Sequence, residues 1–171
     1  AGSHRGRPIH SPLGTSIRPT PDRVREAIFN ALGHGNKRIG RKNRVEGARI
    51  LDGFCGTGAM ALEGLSRGAK FATCIDLNRM ALKSCRRNAK TLNFHDQIEI
   101  LEGNCLYPDK AKRTYSLIFL DPPYYQDLVT PALTAFKNKG WISAGTICTV
   151  ETGFEEQPEW PTYTEIIDQR K

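Results

Sequence analysis

The pattern of apolar and polar residues changes near residue 45. After that point, short apolar runs alternate with amphipathic stretches, which indicates parallel strands covered by helices. The predicted strands are rich in Ile, Val, Leu, Phe and Thr and cover 48–54, 70–76, 97–101, 115–121 and 145–151. The predicted helices cover 59–67, 79–92 and 128–138, with Gly68 ending the first and Asn78 capping the second. We therefore expect an α/β fold with a mostly parallel, twisted sheet and helices on both faces.

The first 45 residues have a different character. Residues 5–21 contain four prolines and two glycines among basic residues, which predicts a short hairpin or extended arm. Thr20, followed by Pro21 at the first helical position, then opens an amphipathic helix that ends near residue 30 or 32. The apolar positions expected to face the core are Val24, Ala27, Ile28, Ala31 and Leu32. We predict one domain, 1–171, in which a basic arm and helix (1–45) precede the α/β core (46–171).

Composition and charge narrow the class of protein. The chain has 39% hydrophobic and 25% charged residues, typical of a folded globular protein, and no apolar run is long enough to cross a bilayer. No signal peptide is recognisable, and the five scattered cysteines form no CxxC pair. A reduced, cytoplasmic protein without structural zinc and without membrane contact is therefore expected.

The basic residues are concentrated in the first third of the chain. Residues 1–50 contain 11 Lys and Arg against 3 Asp and Glu, whereas residues 51–171 contain 14 against 15. Clustered positive charge predicts a protein that binds a phosphate backbone. A merely solvated basic surface would have the same composition.

A glycine-rich loop follows the first predicted strand. Gly56 and Gly58 begin a match to G-x-G-x-x-G/A, and Asp76 lies at the end of the next strand, as in dinucleotide sites. Asp52, four residues before Gly56, would however repel a pyrophosphate and attract a cation. S-adenosylmethionine fits better, since it carries a sulfonium, an ammonium and ribose hydroxyls for Asp76. Asn104 is placed to touch the adenine, although it or the whole loop could also be a simple turn.

The stretch FLDPPY, residues 119–124, predicts the reaction. Asp121 ends the fourth predicted strand, at the edge where open α/β sheets bind ligands. Pro122 and Pro123 stiffen the loop, and Tyr124 offers a face on which a flat base can stack. The Asp121 carboxylate and the Pro122 carbonyl would bind both hydrogens of an exocyclic amine and favour its attack on a methyl group. The base would first be flipped out of its helix. A proline-rich surface turn is the alternative.

Four motifs together point to a known family: RPTPDRVREAIFN (18–30), LDGFCGTGAMALEGLSRGA (51–69), CIDLNR (74–79) and FLDPPY (119–124). They resemble the RsmD family of bacterial small-subunit ribosomal RNA guanine-N2 methyltransferases, over almost the whole chain. The resemblance implies a Rossmann-like class I methyltransferase fold and S-adenosylmethionine as methyl donor. It implies 16S ribosomal RNA as acceptor, in an assembled or partly assembled small subunit. We expect a monomer.

The resemblance also assigns residues by position. The catalytic loop is Asp121, Pro122, Pro123 and Tyr124. The donor pocket is Asp52, Gly53, Phe54, Gly56, Gly58, Asp76, Leu77, Asn104, Cys105 and Asp121. The RNA contacts are Arg5, Arg7, Arg18, Thr20, Arg23 and Arg25, and the segment from Arg18 to Arg25 is expected to close over the donor. No metal is expected. Relatives often carry Glu at the position of Asp76 and usually continue past Lys171 with a further turn and strand.

Three other functions remain open at this stage. The DPPY motif is shared with DNA adenine and cytosine amino methylases, although the chain has no obvious target-recognition insert. A protein glutamine methylase would more often carry NPPY. The third possibility is a protein that is not an enzyme, namely a non-catalytic RNA-binding module.

Overall fold

The computed structural model describes residues 21–33 and 42–170, which contain one five-stranded parallel sheet with strand order β3-β2-β1-β4-β5. In chain order the strands are β1 (Arg49–Gly53), β2 (Phe71–Asp76), β3 (Ile98–Glu102), β4 (Tyr115–Leu120) and β5 (Ile142–Val150). The helices are α1 (Asp22–Gly33), α2 (Ala59–Ser66), α3 (Arg79–Thr91) and α4 (Val129–Asn138). The predicted α/β class and parallel sheet are confirmed.

Both faces of the sheet are covered, as the continuous apolar runs of the central strands predict. One buried cluster joins the sheet to α1, α2 and α3, and a second joins it to α4. Asn78 caps α3 by accepting hydrogen bonds from the backbone N–H groups of Met80 and Ala81, as predicted. Gly68, with φ +95°, follows α2 in the left-handed conformation that the predicted helix end requires.

The core face of α1 differs from the prediction. Phe29, which was not assigned to the core, is fully buried, whereas Val24 and Ala27 are exposed. The ring of Phe29 lies 5.3 Å from that of Phe119 in β4. The helix therefore packs on the sheet through its second half. The apolar spacing alone does not reveal this offset.

The last strand is longer than the sequence indicates. It begins at Ile142, opposite Tyr115, and its pairing shifts register before Ile147. Gly145 has φ +81°, and the Thr146 hydroxyl donates a hydrogen bond to the Tyr115 carbonyl at 2.8 Å. The glycine that resembles a strand boundary is thus part of a bulge within the strand.

In the ranges that the structure describes, no helix is both long and apolar enough to cross a membrane. The five cysteines are free thiols.

Candidate active site

A cavity of about 560 Å³ lies at the carboxyl-terminal edge of the sheet. Three neighbouring strands, β2, β1 and β4, each deliver a carboxylate to its wall: Asp76, Asp52 and Asp121. Its volume is typical of a site for a small organic ligand. Strand order therefore gathers three of the acids that the sequence analysis selected into one site.

Asp52 is the most deeply buried of the three acids, with 3% of its surface exposed. Its Oδ2 accepts a hydrogen bond from the backbone N–H of Ala61, in the first turn of α2, at 3.0 Å. Burial raises the pKa of Asp52 well above its ordinary value; the Ala61 hydrogen bond opposes this rise, and the negative charges of Asp121 and Asp76 add to it. A cation in the cavity would stabilise the ionised form.

Asp76 holds the glycine loop in place. Its Oδ2 accepts from the backbone N–H of Gly56 at 2.8 Å, and its Oδ1 accepts from that of Asn78 at 2.8 Å. The Cys55 N–H also donates to the carbonyl of Ile75 at 3.1 Å, which ties the same loop to β2. Each carboxylate oxygen has a second lone pair, so these bonds leave Asp76 able to accept from ribose hydroxyls.

Two of the predicted donor glycines do not line the cavity. A Cβ at Gly53 would lie 2.7 Å from Leu120 Cδ2, and a Cβ at Gly58 would overlap the sulfur of Cys85. Gly58 also has φ +79° as the residue that caps α2. Both glycines are therefore needed for close packing beneath the loop, while Gly56 is the one in the cavity wall.

The remaining predicted donor residues lie around the same cavity. Phe54, Leu77, Asn104 and Cys105 all belong to its wall. Leu77 is 63% exposed, unusual for leucine and suited to covering a flat apolar ligand. The Asn104 side chain accepts a hydrogen bond from the N–H of Leu106 at 2.9 Å, so it forms the turn that the alternative interpretation anticipated. Asn104 lies in the cavity wall, and its contact with the adenine of the donor stays a prediction.

The DPPY loop closes the opposite side of the cavity. Asp121, Pro122, Pro123 and Tyr124 all line it, directly after β4. Pro122 is buried, so its ring anchors the loop. Pro123 is exposed and lies at the opening of the cavity. The four predicted catalytic residues therefore face the same space as the acids predicted to hold the donor.

Comparison with known proteins gives the family. The family model described as Conserved hypothetical protein 95 matches residues 1–171. The chain belongs to this family. It is the RsmD family that the sequence motifs resemble.

Two relatives and one solved structure illustrate the match. "Ribosomal RNA small subunit methyltransferase D" of Buchnera aphidicola is 31% identical, covering 88% of this chain and 75% of the relative. The protein of the same name from Escherichia coli is 32% identical, covering 90% and 73%. A structure described as "Putative methyltransferase yhhF from Escherichia coli" matches 95% of this chain and 84% of its own, with 31% identity and a TM-score of 0.77.

The predicted RNA contacts of this family member are only partly described. Arg23 is exposed on α1, and Arg25 pairs with Asp22 at 2.7 Å. Pro21, immediately before α1, belongs to the wall of the cavity, so the start of this helix adjoins that cavity. The others, Arg5, Arg7, Arg18 and Thr20, lie outside the described residues.

Sequence reasoning missed a contact behind the catalytic loop. Tyr125 has φ +59°, and its ring crosses that of Tyr124 nearly at right angles with centroids 6.4 Å apart. A Cβ at Gly153, after β5, would lie 2.5 Å from the Tyr125 ring. Because Gly153 has no side chain, the Tyr125 ring can occupy this space. A glycine distant in sequence carries no signal of such a role.

A thiol cluster supports the glycine loop from below. Cys55, Cys74 and Cys85 are buried in the same apolar cluster, the Cys55 thiol donates a hydrogen bond to the Gly56 carbonyl at 3.7 Å, and Cys85 packs against Gly58. Among the residues that the structure describes, no group of three or more His, Cys, Asp or Glu side chains is arranged to hold a metal ion.

Proposed function

We propose that the protein transfers a methyl group from S-adenosylmethionine to the exocyclic N2 amine of a guanine in 16S ribosomal RNA. The observation that carries this proposal is that the Asp121–Pro122 loop shares one cavity with Asp52 and Asp76. The names of the relatives support ribosomal RNA as the acceptor. We further propose a monomer that acts in the cytoplasm, on RNA in the assembled or partly assembled small subunit.

The cavity suits a cationic donor with an aromatic base. Asp52 is placed to face the donor's positive charge, because its ionised form gains from a nearby cation. Asp76 is placed to accept from the ribose hydroxyls. Leu77 and Leu106, both in the wall, provide apolar surface for the adenine. A dinucleotide fits less well, since three carboxylates would repel its pyrophosphate.

The catalytic loop prepares the acceptor. S-adenosylmethionine, when bound, supplies an electrophilic methyl group on a sulfonium sulfur. The Asp121 carboxylate and the Pro122 carbonyl accept the two N–H groups of the guanine amine, which draws the nitrogen lone pair out of the ring. Positive charge develops on that nitrogen during the reaction, and Asp121 stabilises it and receives the released proton. Tyr124 stacks on the flipped base and holds it in line.

The basic segment at the start of the chain would hold the RNA. We propose that Arg18, Thr20, Arg23 and Arg25 lie along the path from the RNA to the donor, with Pro21 already at the cavity. Arg5 and Arg7 would contact phosphates. Charge reversal of Arg5 and Arg7 should then weaken RNA binding and lower its salt dependence.

The first experiment identifies the methylated product. The protein is incubated with methyl-labelled S-adenosylmethionine and small ribosomal subunits from a strain that lacks its own enzyme. The RNA is then digested, and the labelled nucleoside is identified by chromatography and mass spectrometry. We expect the label in N2-methylguanosine of 16S ribosomal RNA.

Parallel reactions test the rival functions. Duplex DNA and total cell protein replace the subunits in otherwise identical mixtures. Label confined to DNA would identify a DNA amino methylase, and label confined to protein would identify a protein methylase. Calorimetry that detects no donor binding would instead favour a non-catalytic RNA-binding module.

A further inference from the structure

A second groove, of about 400 Å³, opens at the amino-terminal edge of the sheet, opposite the donor cavity. Three cations, an aromatic ring and a hydroxyl group line it: Arg49, Lys70, Arg113, Phe71 and Thr114. Arg49 begins β1, Lys70 directly precedes β2, and Arg113 lies just before β4. Because β2, β1 and β4 are neighbours, the sheet brings together cations that are far apart in the sequence.

The three cations are not neutralised within the part of the chain that the structure describes. Over residues 21–33 and 42–170, none of them takes part in an ion pair. The nearby acid Glu99 is paired with Lys112 at 3.2 Å. The groove therefore has a net positive charge that an anion would balance.

Stacking organises one of these cations. The Arg113 guanidinium lies over the Phe71 ring, 4.2 Å from its centroid. This contact uses the flat face of the guanidinium and leaves its in-plane N–H donors for other partners. Arg113 is therefore positioned in advance to donate hydrogen bonds to an oxyanion.

The fields of two of the cations converge. Burial raises the pKa of Tyr115, and the negative charge of Glu99 adds to this rise, whereas the Thr73 hydrogen bond and the positive charges of Arg113 and Arg49 oppose it. Both guanidinium groups thus act on the same hydroxyl. Their mutual repulsion is relieved when a negative charge enters the groove.

We propose that this groove binds backbone phosphates of the RNA substrate. The cations lie at the starts of three neighbouring strands, which are about 4.8 Å apart, and the groove is open, so it suits a chain of charges better than one enclosed ion. It lies about 15–20 Å from the catalytic loop, the length of a short strand. The RNA is thereby held at both edges of the sheet. This inference rests on the proposed function for the identity of the ligand.

The test is an RNA-binding measurement with charge-reversed protein. Arg49→Glu with Lys70→Glu changes two exposed side chains that line the groove. Binding to 16S ribosomal RNA and to small subunits is measured from about 50 to 200 mM salt. Two lost phosphate contacts should lower the slope of log Kobs against log salt by about 1.4 to 1.8. Affinity should fall about tenfold or more, with donor binding unchanged.

Matched variants separate the groove from overall charge and from misfolding. Lys83→Glu with Lys90→Glu makes the same change in net charge on the exposed side of α3 and should leave the slope unchanged. Arg49→Lys with Lys70→Arg keeps both charges and should retain RNA affinity. Arg113→Gln, which keeps a planar group over Phe71, should lower the slope by about 0.7 to 0.9.

The outcomes distinguish this proposal from the proposed function. Methylation of RNA by the wild-type protein, with an unchanged salt slope in the groove variant, overturns the groove and leaves the function standing. If the wild-type protein neither binds nor methylates RNA, both proposals fall. Competition by micromolar inorganic triphosphate at the groove, but not in the Arg49/Lys70 variant, would identify a small-anion site and overturn the assignment to RNA.

Discussion

The same three strands carry opposite charges at their two ends, and these ends lie at opposite edges of the sheet. At the carboxyl-terminal edge, β1, β2 and β4 present Asp52, Asp76 and Asp121 to a cavity. At the amino-terminal edge they begin beside the cations of the groove, Arg49, Lys70 and Arg113. A parallel sheet aligns all strand starts on one side, which makes this separation of charge possible.

The two edges also differ in how firmly their charged groups are held. Backbone N–H groups bind Asp52 and Asp76, and glycine packing supports the loop between them. Arg49 and Lys70, in contrast, are exposed. An acid-lined cavity with hydrogen-bonded walls suits one small cationic ligand of defined shape, whereas exposed surface cations suit a polyanion of varied shape. The difference suggests that the carboxyl-terminal edge holds the donor and the reacting base, while the amino-terminal edge adds contacts to the RNA backbone.

Removing the carboxylate of Asp121, which we propose acts on the guanine amine, should have the largest effect. Asp121→Asn keeps the shape of the side chain but weakens its interaction with the charge that develops on nitrogen. We expect turnover to fall about 10²- to 10³-fold, with donor affinity nearly unchanged. Single-turnover methylation and calorimetry measure the two quantities.

The matched control for this variant is Asp127→Asn, an exposed acid a few residues along the same loop. Its turnover should stay within about twofold of wild type, the size of effect typical of a surface change. Equal activity of the Asp121 and Asp127 variants would remove Asp121 from the reaction.

Filling the space beneath the glycine loop should test the rigidity of the acidic edge. Gly58→Ala adds a methyl group against the Cys85 sulfur and strains a residue with φ +79°. We expect a loss of about 1–3 kcal/mol in the free energy of unfolding, and weaker donor binding. Denaturant unfolding and calorimetry are the measurements.

Gly47→Ala provides the comparison, because Gly47 has φ +71° but nothing within 4 Å of an added Cβ. The difference between the two variants in the free energy of unfolding separates the effect of packing against Cys85 from the effect of backbone strain. If both lose the same free energy and bind the donor equally, this packing does not support the site.

The pH dependence of stability should reveal the buried acid. The pKa of Asp52 is raised in the folded protein, so this group favours folding below pH 4, and its contribution is lost as pH rises through the folded pKa. Compared with Asp52→Asn, the free energy of unfolding of the donor-free wild type should fall by up to about 1.4 kcal/mol per pH unit, between pH 4 and the folded pKa. Denaturant unfolding at successive pH values above 4 measures this, and parallel curves would contradict it.

A smaller effect should come from the contact behind the catalytic loop. Gly153→Ala displaces the Tyr125 ring and, through it, Tyr124. We expect turnover to fall about threefold to tenfold with donor affinity unchanged, since a modest misplacement of a stacking group costs less than a lost charge. Gly33→Ala, with nothing within 4 Å, is the control for adding a methyl group. Unaltered turnover in the Gly153 variant would separate Tyr125 from catalysis.

Much of this fold was predictable because strand-forming residues occur in clear runs. The starts and ends of β1 to β4 lie within about two residues of the prediction, a normal uncertainty for element boundaries. The prediction for α1 was wrong at Val24 and Ala27 and did not include Phe29, because the packing of a helix depends on where it meets the sheet. That contact, with Phe119, involves a residue far along the chain.

The site was predictable to the extent that acids at strand ends meet at one edge. Asp52, Asp76 and Asp121 followed from this rule, but the hydrogen bonds of Asp76 to the loop did not, because they depend on side-chain direction. The basic groove was missed for a different reason. Lys70 and Arg113 lie in the part of the sequence with balanced charge, so composition conceals a cluster that only strand order assembles.

The packing of the Tyr125 ring against Gly153 should couple the motions of two segments of the chain. The N–H of Glu151 bonds to the carbonyl of Leu120 at 2.9 Å, directly before the catalytic loop, and Gly153 supports that loop from behind. The chain after β5 and the chain after β4 should therefore open and close as one unit. Hydrogen exchange at amides 151–156 would then slow when a base occupies the catalytic loop, which gives substrate binding a readout outside the cavity.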